Sequence, residues 1–244
     1  MKTIVVFSLA CLSLFACATL SVLASGKNKL SFEFSPDGRF VRATNPSSEI
    51  IPAADADVKD DIKENVKTRK IFTNFSHYKL ATYFSIWGNT IAQGGSNFPF
   101  QTWVAEAFTP TADATVTKIE TSAGRQSSGS GGFEISLYSD ASGVPGTVLQ
   151  TTHVTNLPQY GQCCDVSTAT FSTGVPVTAG AQYWVVVSTT SQDPDIYAWA
   201  FNSTNMSAQP AASWCKGSST YCGTRSGVWV PYSYVQLGFA VFGQ

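Results

Sequence analysis

Phe133-Glu134-Ile135-Ser136-Leu137 decides the fold class: Phe133, Ile135 and Leu137 alternate with polar residues. Successive side chains of a strand point to opposite faces, so this pattern gives a half-buried β-strand with one apolar face. Gln182-Tyr183-Trp184-Val185-Val186-Val187-Ser188 is a continuous apolar, β-branched run, as expected of a strand covered on both faces. Outward from these two, strand patterns recur at 104–109, 115–122, 148–154, 168–172, 197–202, 227–230 and 235–242. Gly, Pro, Ser and Asp clusters separate them at 124–132, 140–146, 173–176, 192–195 and 208–212. About nine strands at turn-punctuated spacing predict an all-β protein, an antiparallel jelly-roll-like β-sandwich. No interval carries the 3.6-residue period of a crossover helix, and no internal repeat supports a propeller or solenoid.

Composition agrees with that reading. The chain has 244 residues, of which 43% are hydrophobic and only 13% charged. Helix-rich proteins need Glu, Lys and Arg for their outer faces, and the usual charged share is about a quarter. The net charge of −1 excludes an electrostatic nucleic-acid binder.

The charge is unevenly spread. Residues 26–70 hold nine Lys/Arg and eight Asp/Glu, whereas residues 71–244 hold five and eight. This marks a boundary near Lys70–Ile71 and predicts a β-sandwich domain over 71–244. Residues 26–70 are read as a charged linker or tail. Within it, Pro36-Asp37-Gly38 is a turn signal that would close a short hairpin. Val58, Ile62 and Val66 form a narrow apolar stripe, and a helix docked on the main domain is the alternative to a solvated segment.

Residues 1–25 read as a signal peptide. Lys2 is followed by an apolar run from Ile4 to Leu23, with Val22 and Ala24 at the −3 and −1 positions of a cut after Ala24. A transmembrane anchor and lipoprotein processing at Cys17 are the alternatives. Ser and Thr interrupt the run, and Phe15 is bulky for a lipobox. No second apolar span follows, so the mature chain is expected to be secreted, extracellular or periplasmic, without a transmembrane span.

Of six Cys, Cys11 and Cys17 lie in the signal, leaving Cys163, Cys164, Cys215 and Cys222. In an exported chain these suggest disulfides. Cys215–Cys222 across a short Gly/Ser-rich loop is favoured, with Cys163–Cys164 as companion. Two cross-bridges are the alternative, if 161–165 is an irregular turn. Zinc is disfavoured, since no Cys-x-x-Cys occurs.

Several segments resemble a known family: 101–110, Leu137-Tyr-Ser-Asp-Ala-Ser-Gly-Val-Pro-Gly, 157–164 with its Cys-Cys, 176–187 and 238–242. Together they resemble secreted bacterial β-sandwich proteins of the choice-of-anchor type, most like the choice-of-anchor R domain. The resemblance covers residues 71–244 and implies fold and location, without a catalytic residue. The surface-sorting tail of such proteins has no counterpart before Gln244, which favours release.

No catalytic motif stands out. His77 and His153 are the two His, and neither a Gly-x-Ser-x-Gly elbow nor His-Glu-x-x-His occurs. His153, in a Thr-rich segment, reads as a solvated residue. Glu106, between Ala105 and Ala107, reads as an outward-facing strand residue. The expectation is a non-catalytic protein without a cofactor. A structural Ca²⁺ is a minor alternative, with Asp140, Asp193 and Asp195 as loop carboxylates. Among six Trp, Trp184 reads as core, while Trp199, Trp214 and Trp229 lie in polar, loop-rich surroundings and are the candidate ligand-binding residues. Two functions remain open: an extracellular interaction or structural role, and a carbohydrate-binding module stacking sugars on exposed Trp. Partners would be a glycan or an extracellular protein.

Overall fold

The computed structural model describes residues 19–21, 31–34, 40–44, 68–75, 87–92, 100–126, 131–160, 165–189, 196–200, 209–217, 222–232 and 236–244. Sixteen strands lie among them: β1 (Thr19–Ser21), β2 (Ser31–Phe34), β3 (Phe40–Thr44), β4 (Arg69–Thr73), β5 (Trp87–Ala92), β6 (Phe100–Phe108), β7 (Ala114–Thr121), β8 (Ala123–Arg125), β9 (Phe133–Asp140), β10 (Pro145–Val154), β11 (Ser167–Val177), β12 (Tyr183–Ser188), β13 (Ile196–Ala200), β14 (Ala211–Gly217), β15 (Trp229–Tyr232) and β16 (Phe239–Gly243).

Every strand pair is antiparallel, and the strands form two sheets. The smaller runs β11-β7-β16-β4. In the larger, six strands lie side by side in the order β10-β9-β12-β6-β14-β15. This sheet branches at β6, where Ala92 of β5 pairs with Thr102 beyond the end of β12. β5 in turn pairs with β13 and β3.

The sheets enclose one main core. Val104, Phe108, Ile135, Leu137, Val185 and Trp199 from the large sheet meet Val116, Ile119, Phe171, Phe239 and Val241 from the small one. Phe239 packs edge-on against both Phe108 and Trp199. The alternation in β9 holds: Phe133, Ile135 and Leu137 have no exposure.

The sheets are joined at a corner. Chain passing from β7 to β8 crosses at Ser122, whose backbone N–H donates to the Gly238 carbonyl at 2.9 Å. Its hydroxyl donates to that carbonyl at 3.1 Å and to Ala200 O at 3.3 Å. A Cβ on Gly238 would sit 2.7 Å from the Ser122 hydroxyl, so the close approach requires glycine.

The strands exceed the nine expected for physical reasons. The 173–176 turn signal lies inside β11, where the register on β7 shifts between Thr170 and Val175. Gly174 there faces the Thr115 methyl, with no room for a Cβ. β14 occupies a stretch whose Ala, Ser and Gly mimic a loop. The expected hairpin in the charged segment forms, with Glu33 opposite Arg42. Its strand β3 pairs with β5, and β4 spans the composition boundary to pair with β16. The Val58–Val66 stripe lies outside the described residues. Among the described residues no helix is long and apolar enough to cross a membrane.

Candidate functional site

β6 alternates between two environments. Val104 and Phe108 point into the main core. Ala105 and Ala107 point the other way, into a second cluster with Trp184, Val186 and Ala212, against which Tyr138 and Trp229 pack. The outer face of the large sheet therefore has its own apolar layer.

Trp103 shares that outer face by parity. Strand register sets Trp214 of β14 opposite Trp103 of β6, and Trp229 of β15 opposite Trp214. Residues directly opposite on neighbouring strands project from the same face. Three indoles thus stand in one row across three strands, each half-buried. Trp103 and Trp214 stack with centroids 4.3 Å apart and planes 18° apart.

The row continues as polar side chains. The β6–β12 register, with Val104 opposite Val187, brings Ser188 beside Trp103. Ser188 is opposite Glu134 on β9, and Glu134 is opposite His153 on β10. The Ser188 hydroxyl donates to Glu134 Oε2 at a long 3.5 Å. Ser188 is buried, Glu134 half-buried and His153 exposed. Burial first, then the Glu134 charge, push the Tyr138 phenol upward, in keeping with a shared face.

A disulfide anchors this region. Cys215–Cys222 forms as expected and packs with Phe100 and Ile196. Cys215 adjoins Trp214. Its carbonyl accepts from Gly227 N–H at 2.7 Å, tying the segment before Trp229 to β14. The bridge therefore fixes the ribbon that carries two of the three indoles.

Trp199 is not a surface residue. Its ring has no exposure, its Nε1–H donates to Gly238 O at 2.8 Å, and it lies in the main core. β13 is buried at all five positions: Tyr197 and Trp199 face the main core, and Ile196 packs with Ala92, Phe100 and Cys222. Trp214 and Trp229 remain accessible, and Trp103 is the member that sequence reading missed. Its parity opposite Val104 was the available signal.

Glu106 also departs from expectation. It follows the parity of Val104 and Phe108, faces the core and has no exposure. Neither carboxyl oxygen has a hydrogen-bond partner among the described residues. Burial holds its pKa well above the usual carboxylate range. The Leu237 backbone N–H pulls the other way, without reaching hydrogen-bonding geometry. A neutral acid is the form an apolar site tolerates.

Asp140 serves its own turn. It accepts from Trp184 Nε1 at 2.8 Å, Gln182 Nε2 at 2.7 Å and Gly143 N–H. Desolvation raises its pKa, but hydrogen bonds from Trp184, Gly143, Gln182 and Ser142 together outweigh it and lower the net value. Asp193, Asp195, Cys163, Cys164 and His77 lie outside the described residues. Among the described residues no group of three or more His, Cys, Asp or Glu is placed to hold a metal ion.

No family model matches the chain, and no curated protein matches it.

Proposed function

We propose that the chain is an exported, non-catalytic β-sandwich protein that works by contact, and that the outer face of β6, β14 and β15 is its contact surface. One observation carries this: Trp103, Trp214 and Trp229 form a half-exposed row on one face, while Trp184 and Trp199 are enclosed. Indoles kept partly in water are typical of recognition surfaces, since each gives a large contact area at low conformational cost. The apolar N-terminal run and the Cys215–Cys222 bridge support export. The resemblance to choice-of-anchor domains agrees with an extracellular role. Glu106, the fully enclosed acid, faces the core rather than a surface where a substrate could meet it.

A carbohydrate-binding module is the second reading, favoured by the polar continuation of the row. The test is binding of the purified protein and its Trp214→Ala variant to arrays of glycans and of extracellular proteins, with and without Ca²⁺. Binding lost in the variant supports the reading. Binding that survives it refutes this face as the contact surface.

A further inference from the structure

We propose that the outer row is a subsite for a neutral, linear oligosaccharide. One sugar ring stacks on the face of Trp103 turned away from Trp214, and its hydroxyls are held by Glu134 and His153. The proposal rests on the reading of this face as the contact surface and adds the ligand and the residues that hold it.

The geometry is a line. Trp229, Trp214, Trp103, Ser188, Glu134 and His153 occupy successive strands from β15 to β10. Strands lie about 4.8 Å apart, so the line runs roughly 24 Å across the sheet. The neighbouring row, Ser136, Val186, Ala105 and Ala212, is closed to solvent. The line is bounded on that side, which suits an extended chain laid along it across the strands.

The chemistry changes along the line at Trp103. Stacking on Trp214 uses one face of each indole. The other face of Trp103 is turned away from Trp214, on the side of β12. There the row drops to the small Ser188, flanked by Glu134. A pyranose has an apolar C–H face and a rim of hydroxyls. The first suits an indole face, and the second suits a carboxylate acceptor and an imidazole. Glu134 is a negative group at the centre of this end, so an acidic glycan would meet like charge and a neutral one would not.

The experiment is a glycan array of neutral and acidic oligosaccharides probed with the purified protein. The best neutral hit is then titrated calorimetrically against wild type and variants. Trp103→Ala should weaken binding about ten-fold, the loss of roughly 1.4 kcal/mol. Glu134→Gln, which keeps shape and loses charge, should weaken it about three- to ten-fold. Leu149→Ser, an exposed position outside the row, should change nothing. Cooperative melting of each variant checks that the fold is intact, and Glu134→Gln carries the test if Trp103→Ala fails to fold. Binding confined to acidic glycans, or absent from every glycan, overturns the proposal. So does a hit indifferent to both Trp103→Ala and Glu134→Gln. If that hit is lost in Trp214→Ala, or a protein ligand is lost there, the contact-surface reading stands while the sugar subsite falls. If no binding depends on Trp214, both fall.

Discussion

Glu106→Gln should stabilise the protein at neutral pH and have progressively less effect as the pH is lowered. Glu106 is enclosed, and its carboxyl oxygens lack partners among the described residues. Burial raises its folded pKa well above the ordinary carboxyl value. Between these values the folded chain keeps the proton and the unfolded chain has lost it. The unfolded state then binds fewer protons, so stability falls as pH rises, by about 1.4 kcal/mol per pH unit. Below the ordinary carboxyl pKa both states are protonated and the penalty disappears. For a domain of this size each such pH unit is roughly 3–6 °C in Tm. Glutamine keeps the shape and does not titrate, so other groups, Asp140 included, cancel in the difference. Thermal melts of both proteins from pH 4.5 to 8 give the readout. The Tm of the variant minus that of wild type should grow as the pH rises from 5 toward 7. Parallel Tm curves across this range would refute the linkage, and would mean that Glu106 ionises in the folded protein.

Four further outcomes are expected. Non-reducing peptide mapping should link Cys215 to Cys222. The double Ser variant should lose about 2–3 kcal/mol, as closing so short a loop implies, and still melt cooperatively. Trp199→Ala should cost about 3–5 kcal/mol in denaturant titration, as emptying a core aromatic site does, while Trp229→Ala, at a half-exposed position, should cost less than about 1.5 kcal/mol. A Cβ on Gly243 would overlap the Thr115 carbonyl, so Gly243→Ala should destabilise by about 1–3 kcal/mol in the same titration. Asp140→Ala leaves the Trp184 indole N–H without its acceptor and should cost about 1–3 kcal/mol. Because the folded pKa of Asp140 is lowered, its charged contribution is present above the ordinary Asp range and is lost as pH falls through the folded value. The deficit of Asp140→Ala should therefore narrow in acid melts.

The strands that could be read from sequence are those whose side chains alternate or are uniformly β-branched. β9 and β12 owe their burial to their own composition, so local pattern sufficed. β14 was hidden because its buried members are Ala211 and Ala212, residues with little strand preference. Its partners β6 and β15 hold it in place, and no local window contains them. Glu106 was misjudged because charge was weighed over parity; Val104 and Phe108 on either side had already assigned the face. Trp199 was misjudged because Asp193, Asp195 and Asn202 surround a strand whose own residues, Ile196 to Ala200, are all apolar. The Cys215–Cys222 pair was legible because a short loop leaves little choice of partner. The indole row was not, since it depends on register between strands distant in sequence.

The order of synthesis imposes a delay on the small sheet. β4 is among its first residues to be made, and its partner among the described strands is β16, with Thr73 opposite Ala240. β16 also lies inside the sheet, between β7 and β4. At about 5–20 residues per second, the roughly 170 residues between them take on the order of ten to thirty seconds to appear. Through that interval Phe239 and Val241 are missing from the core, and Phe108 and Trp199 lack the ring they pack against edge-on. The small sheet is thus held short of its native state until β16 arrives, and a ribosome paused before that strand would display an open sandwich.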